Sequence, residues 1–188
     1  MNAADFTKIA RVLVGLSVLC GAAALADTSG TRASGKTPHE KSAGAPLTAE
    51  DRLAIMSLKA HYEQCLDGGD VDAYAASFTP DGIVEFPGGR IQGRDKIREW
   101  VAGLMKSGMI GATPAKVRHV INVPDISGGG GRASVRTYVT IYSLNSKGAV
   151  VVASVSSYDD TVVKMQGRWL FEKSVMKADL GAFAKPAD

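Results

Sequence analysis

His119, Asp67 and Tyr62 are the residues of this chain whose types and placement suit proton chemistry. On an alternating strand His119 shares one face with Val117, Ile121 and Val123, an apolar row in which an imidazole stands out. Such a ring serves either as a proton acceptor or as a buried neutral histidine held by a backbone carbonyl. Asp67 closes a helix, where a carboxylate meets the negative end of the helix dipole, so helix stability does not account for it. A solvated turn residue in Asp67-Gly68-Gly69-Asp70 is the plainer account. Tyr62 lies on the apolar stripe of the same helix; its ring packs, and its buried hydroxyl needs a partner, either a ligand or a backbone carbonyl. Five residues on an ideal helix do not share a face, so Tyr62 and Asp67 converge only if the helix unwinds between Cys65 and Asp67.

The elements that position these residues are helices first and strands afterwards. Thr48 followed by Asp51 resembles a capping box, and Ile55, Leu58, Tyr62 and Cys65 recur at helical spacing, which gives a first helix over 49–66 ended by Gly68-Gly69. Asp70 caps a second helix with Val71, Tyr74, Ala75 and Phe78 on its apolar face, and Thr79-Pro80-Asp81-Gly82 reads as its stop and turn. Residues 83–86 and 90–92 form a small hairpin around Pro87-Gly88-Gly89. Gly93-Arg94-Asp95 opens a third helix with Ile97, Trp100, Val101 and Leu104 on one face. Four long strands follow, over 116–126, 132–144, 149–164 and 168–176, joined by glycine-rich turns into an antiparallel meander. The fold class is therefore α+β, with helices covering one face of a sheet. Arg136, Tyr142 and Tyr158 are further candidates for the lining, since alternation alone does not say which sheet face is concave. Asn122 falls on the face opposite His119 and reads as structural, and Trp100, Trp169 and Phe171 read as core.

The chain opens with Lys8 and Arg11, then an uncharged stretch over 12–26 ending in Ala24-Leu25-Ala26. That order is the pattern of a secretory signal, residues 1–26, and the stretch is shorter than the ~20 apolar residues of a spanning helix. Lipidation at Cys20 is the alternative to its removal. Residues 27–46 carry no apolar periodicity and read as a disordered linker; one domain over 47–180 and a tail over 181–188 complete the chain. The expected location is exported, periplasmic or secreted, with no stable membrane insertion after cleavage. Without Cys20, Cys65 has no partner for an internal disulfide. A formal net charge of +3 with basic residues scattered among acids argues against a nucleic-acid partner. Ligand spacing for a metal, a phosphate loop, a dinucleotide fingerprint and a nucleophile elbow are all absent from the sequence, so no cofactor and no metal are expected.

Several short motifs in order resemble the SnoaL-like branch of the nuclear transport factor 2-like superfamily: Tyr62-Glu63-Gln64-Cys65-Leu66-Asp67-Gly68-Gly69-Asp70, Phe78-Thr79-Pro80-Asp81-Gly82, Gly93-Arg94-Asp95-Lys96-Ile97, Arg118-His119-Val120-Ile121-Asn122, Ser157-Tyr158-Asp159-Asp160 and Gly167-Arg168-Trp169. The resemblance covers residues 47–180. It implies a cone-shaped fold, a strongly curved antiparallel or mixed sheet with three N-terminal helices enclosing an apolar pocket. In the dehydratase-like branch a Tyr and an Asp from the first helix and a His from the first long strand meet in the pocket, and Tyr62, Asp67 and His119 are the matching positions. The second strand histidine that such dehydratases often carry has no match here, since the other two are His39 and His61. What the resemblance implies is a cofactor-independent lyase or isomerase of dehydratase type, acting by proton transfer on a small apolar or aromatic ring compound. The alternatives are a non-catalytic exported binding module for a small hydrophobic ligand and a structural subunit; the resemblance also implies a homo-oligomer.

Overall fold

The computed structural model describes residues 44–108, 110 and 117–181. The expected signal, most of the linker and all but the first residue of the tail lie outside the described residues. The last linker residues are seated on the domain: Pro46 bridges Gly129, and the Gly130 N–H donates to the Ala45 carbonyl at 2.9 Å.

Helix α1, Ala49–Gly68, begins at the expected capping box. Thr48 Oγ1 accepts the Asp51 N–H at 3.1 Å and Asp51 Oδ2 accepts the Thr48 N–H at 3.2 Å, which satisfies two of the donors a helix start leaves open. Asp51 Oδ1 also accepts Lys164 Nζ at 2.8 Å and Trp169 Nε1 at 3.0 Å, so the cap ties the helix to the sheet. The helix ends at Gly69, whose φ of 81° is the left-handed conformation that glycine adopts without strain. Asp70 then caps α2, Val71–Ala76, accepting the Ala73 N–H at 2.9 Å. Helix α3, Arg94–Lys106, buries Ile97 and Val101 and stacks Trp100 on Phe86 at 5.0 Å between ring centroids.

The strands are β1 Phe78–Phe86, β2 Gly89–Gln92, β3 Val117–Ile121, β4 Asp125–Gly129, β5 Arg132–Leu144, β6 Val150–Met165 and β7 Arg168–Gly181. They form a seven-stranded sheet in the order β2-β1-β7-β6-β5-β3, with β4 also on β5. The β1–β7 pair is parallel and the others are antiparallel, so the sheet is mixed and the fold is α+β as expected.

Three sequence expectations change. Thr79-Pro80-Asp81-Gly82 is not a turn between elements but an irregularity within β1: Phe78 pairs with Phe171 and Ile83 with Lys173, so the segment bulges out of the ladder. The strand expected over 116–126 is two strands. Ile121 faces Val139 while Asp125 faces Arg136, a register change of one residue across Asn122-Val123-Pro124. Proline lacks the N–H a ladder needs, and the extra residue moves the inward set from odd positions to Ile126. Val123, expected beside His119, is therefore 79 % exposed. The last strand runs beyond Met176 to Gly181, and a bulge at Glu172 shifts its inward side chains from Trp169 and Phe171 to Ser174 and Met176.

Candidate active site

On β3 the less exposed residues are Val117, His119 and Ile121, which places the imidazole on the helix-covered face of the sheet. His119 pairs with Ile141 on β5, and Ile141 with Ser154 on β6, so the ring stands at the start of an inward row. Asp67 reaches it from the last turn of α1. His119 Nδ1 lies 2.7 Å from Asp67 Oδ1, and the His119 backbone N–H donates to Asp67 Oδ2 at 3.0 Å. The two side chains are only 4 % and 12 % exposed. A carboxylate accepting from Nδ1 fixes the tautomer in which that nitrogen carries the proton, and it leaves the lone pair on Nε2. Among the described residues Nε2 makes no hydrogen bond.

Tyr62 is not joined to this pair. Helix α1 runs unbroken through Gly68, so the unwinding that would have turned Asp67 toward Tyr62 does not occur. Tyr62 instead packs among Tyr74, Phe78 and Phe171 at centroid distances of 4.6, 5.9 and 5.1 Å. Its hydroxyl accepts from Tyr74 Oη at 2.7 Å. Burial raises the pKa of both phenols well above the usual tyrosine value, so both are protonated.

A second group of polar residues under α1 was not anticipated. Lys59 Nζ lies 3.2 Å from Glu63 Oε1 and 3.2 Å from Asp160 Oδ2, with all three side chains at most 3 % exposed. These are ion pairs without hydrogen-bond angles; Asp160 Oδ1 accepts Ser174 Oγ at 2.6 Å, while among the described residues Asp160 Oδ2 and both Glu63 oxygens make no hydrogen bond. Burial raises the pKa of Asp160, and the Lys59 charge and the Ser174 hydroxyl oppose it. The ammonium also sits 3.9 Å from the Tyr158 ring centroid and 4.7 Å from that of Tyr62. Tyr158 belongs to the inward row Ser154, Ser156, Tyr158, Asp160 of β6, whereas Arg136 and Tyr142 of β5 face outward. Three inward hydroxyls, Thr137 Oγ1, Ser154 Oγ and Ser156 Oγ, make no hydrogen bond among the described residues.

The sequence carried a signal for this cluster. The buried side of α1 is Ile55, Lys59, Tyr62, Glu63, Cys65 and Leu66, so two charges four residues apart lie on the core stripe, where a charge without a partner is costly. The stripe expected from Ile55, Leu58, Tyr62 and Cys65 passed them by. Cys65 is a free, buried thiol whose pKa burial raises, with Sγ 3.3 Å from His61 Nε2. Asn122 is structural: its Oδ1 accepts the Tyr138 N–H at 2.9 Å and closes the end of the β3–β5 ladder. Among the described residues no three His, Cys, Asp or Glu side chains gather as metal ligands.

The comparisons agree with this architecture. A protein of unknown function with a cystatin-like fold from Nostoc punctiforme is 29 % identical, with a TM-score of 0.62 over 72 % of this chain and 96 % of that one. A Mycobacterium tuberculosis protein of unknown function is 25 % identical, with a TM-score of 0.59 over 68 % and 70 % of the two chains. A provisionally named scytalone dehydratase from Novosphingobium aromaticivorans, 22 % identical with a TM-score of 0.57 over 70 % and 85 %, shares the fold. No curated protein matches the sequence. The profile of the SnoaL-like domain matches residues 47–175, and the chain belongs to that family.

Proposed function

We propose that this protein is a cofactor-independent lyase or isomerase that moves a proton on a small, largely apolar ring compound. The observation that carries the reading is the Asp67–His119 pair, a carboxylate on Nδ1 at 2.7 Å with Nε2 unengaged among the described residues. In this reading Nε2 removes a proton from carbon, the electron pair moves toward a carbonyl or a leaving group, and Asp67 stabilises the imidazolium that forms. Membership of a family that includes cofactor-free isomerases and dehydratases supports the same chemistry.

The test uses a simple carbon acid, α-tetralone, a bicyclic ketone with exchangeable hydrogens next to its carbonyl. In deuterium oxide the protein is expected to accelerate exchange of these hydrogens over buffer, read by mass spectrometry. His119→Gln should remove about 10²- to 10⁴-fold of that acceleration while leaving the fold intact. Equal exchange by the protein and by His119→Gln would overturn the reading.

A second role is favoured by the outer sheet face. Val120, Tyr138, Tyr142, Leu144, Val150 and Val152 are exposed there at 36–69 %. A cluster of this kind suits a second copy of the chain. Sedimentation equilibrium should give a dimer, and Tyr142→Lys with Val152→Lys should give a monomer; a monomer already in the unaltered protein would exclude this role.

A further inference from the structure

We propose that residues 44–46 act as a clasp, an extended segment that docks in cis on the edge of β4, on a seat built by Gly129 and Gly130, and fixes where the preceding chain joins the domain.

The seat is made of backbone. Pro46 forms an antiparallel bridge with Gly129, and the Ala45 carbonyl accepts the Gly130 N–H at 2.9 Å. The two segments approach so closely that only hydrogen fits between them. A Cβ on Gly129 would lie 2.6 Å from the Ala45 carbonyl oxygen, and one on Gly44 would lie 2.2 Å from the Gly130 Cα. Both obstacles are backbone atoms, which cannot swing aside as the end of a side chain can, so either methyl drives the segments apart. The glycine run therefore serves two purposes. Gly128, Gly130 and Gly131 have φ of 144°, 62° and 79°, the left-handed region that the β4–β5 turn requires of them. Gly129 lies outside that region, and the three atoms nearest a Cβ built on it all belong to Gly44 and Ala45. Its missing side chain answers to the docked segment rather than to the turn.

The clasp lies where several elements meet. Arg52 Nη1 of α1 donates to the Ile126 carbonyl of β4 at 2.9 Å, and the Lys164 N–H of β6 donates to the Gly131 carbonyl at 2.7 Å. A strand edge is a template for pairing with another chain, and here a segment of the same chain occupies it. The Asp67–His119 pair stands at the other end of the domain. Asp67 is on the last turn of α1, ~27 Å from the first residue of that helix. His119 faces Ile141, nine residues along β5 from Arg132, the partner of Gly129, which is ~30 Å of strand. The chain that arrives at Gly44 thus enters the domain at the end remote from the pair.

Amide hydrogen exchange of the whole chain, read residue by residue by NMR, tests the clasp. In the unaltered protein the Gly130 amide should be protected. In Gly129→Ala and in Gly44→Ala, one change on each side of the contact, it should exchange at least about tenfold faster, while the Val139 amide at the centre of the β5 ladder keeps its rate. An unprotected Gly130 amide in the unaltered protein, or unchanged exchange of Gly130 in either variant, would overturn the proposal. Equal acceleration of Gly130 and Val139 would also overturn it, because the glycines would then serve the fold as a whole and not a local docking.

Discussion

Asp67 holds His119 at two points, the ring through Nδ1 at 2.7 Å and the strand through the backbone N–H at 3.0 Å. One carboxylate thus fixes the position of β3 and the tautomer of its imidazole. In Asp67→Asn the amide oxygen still accepts one N–H, but the amide nitrogen can face Nδ1 and favour the tautomer protonated on Nε2. Exchange activity should fall by about 10²-fold or more, because the basic lone pair then points away from substrate. Circular dichroism should be unchanged, and a variant with full activity would show that Asp67 does not orient the ring.

Lys59 is the charge that two buried carboxylates share. Lys59→Met leaves Glu63 and Asp160 enclosed without a cation, and urea unfolding at neutral pH should report a loss of about 3–5 kcal/mol. Adding Glu63→Gln and Asp160→Asn to that variant should restore a large part of it, since a neutral cluster needs no compensation. Failure of the triple variant to recover would mean that packing, not charge, governs the site.

The raised pKa of Asp160 gives a signed dependence on pH. A carboxyl whose folded pKa lies above its unfolded value near 3.8 binds its proton more tightly in the native state. Its contribution favours folding below 3.8 and is lost as pH rises through the folded value. Relative to the unaltered protein, Asp160→Asn should therefore become progressively more stable as pH rises from about 4 toward neutrality. Urea midpoints for both proteins across that range check the sign, and a relative change in the other direction would contradict it.

Asp51 behaves in the opposite sense. Lys164 and Trp169, then the Thr48 backbone, hold its carboxyl well below the usual range. The stabilisation is present above the unfolded value and is lost as pH falls toward the folded one. Asp51→Ala should melt at a lower temperature than the unaltered protein at neutral pH, and the gap should narrow in acid. A gap independent of pH would mean that the lost cap and packing, not the ionised carboxylate, set it, since alanine is the better helix former.

The order of elements and the helix caps were legible because they rest on local chemistry: Thr48 with Asp51, Asp70 before α2, and the amphipathic face of α3 are each written within a few residues. His119 and Asp67 could be singled out one by one, the first by an imidazole in an apolar row and the second by a carboxylate at the wrong end of a helix. Their pairing needed the family likeness, because the two lie 52 positions apart and only the docking of α1 on β3 joins them. The bulges at Thr79-Pro80-Asp81-Gly82, at Asn122-Val123-Pro124 and at Glu172 were not legible. Each inserts residues whose effect depends on the neighbouring strand, and a single insertion reverses which side chains face inward. Of the Lys59–Glu63–Asp160 cluster, the helical pair was legible as two charges four residues apart on a buried stripe, whereas Asp160 of β6 joins it only through tertiary packing.

Long-range proton–nitrogen correlation spectra of the histidine rings test the tautomer of His119 most directly. In the neutral ring Nδ1 should carry the proton and Nε2 should resonate as an unprotonated nitrogen, and Asp67→Asn should reverse that assignment. A neutral His119 protonated on Nε2 in the unaltered protein would contradict the account.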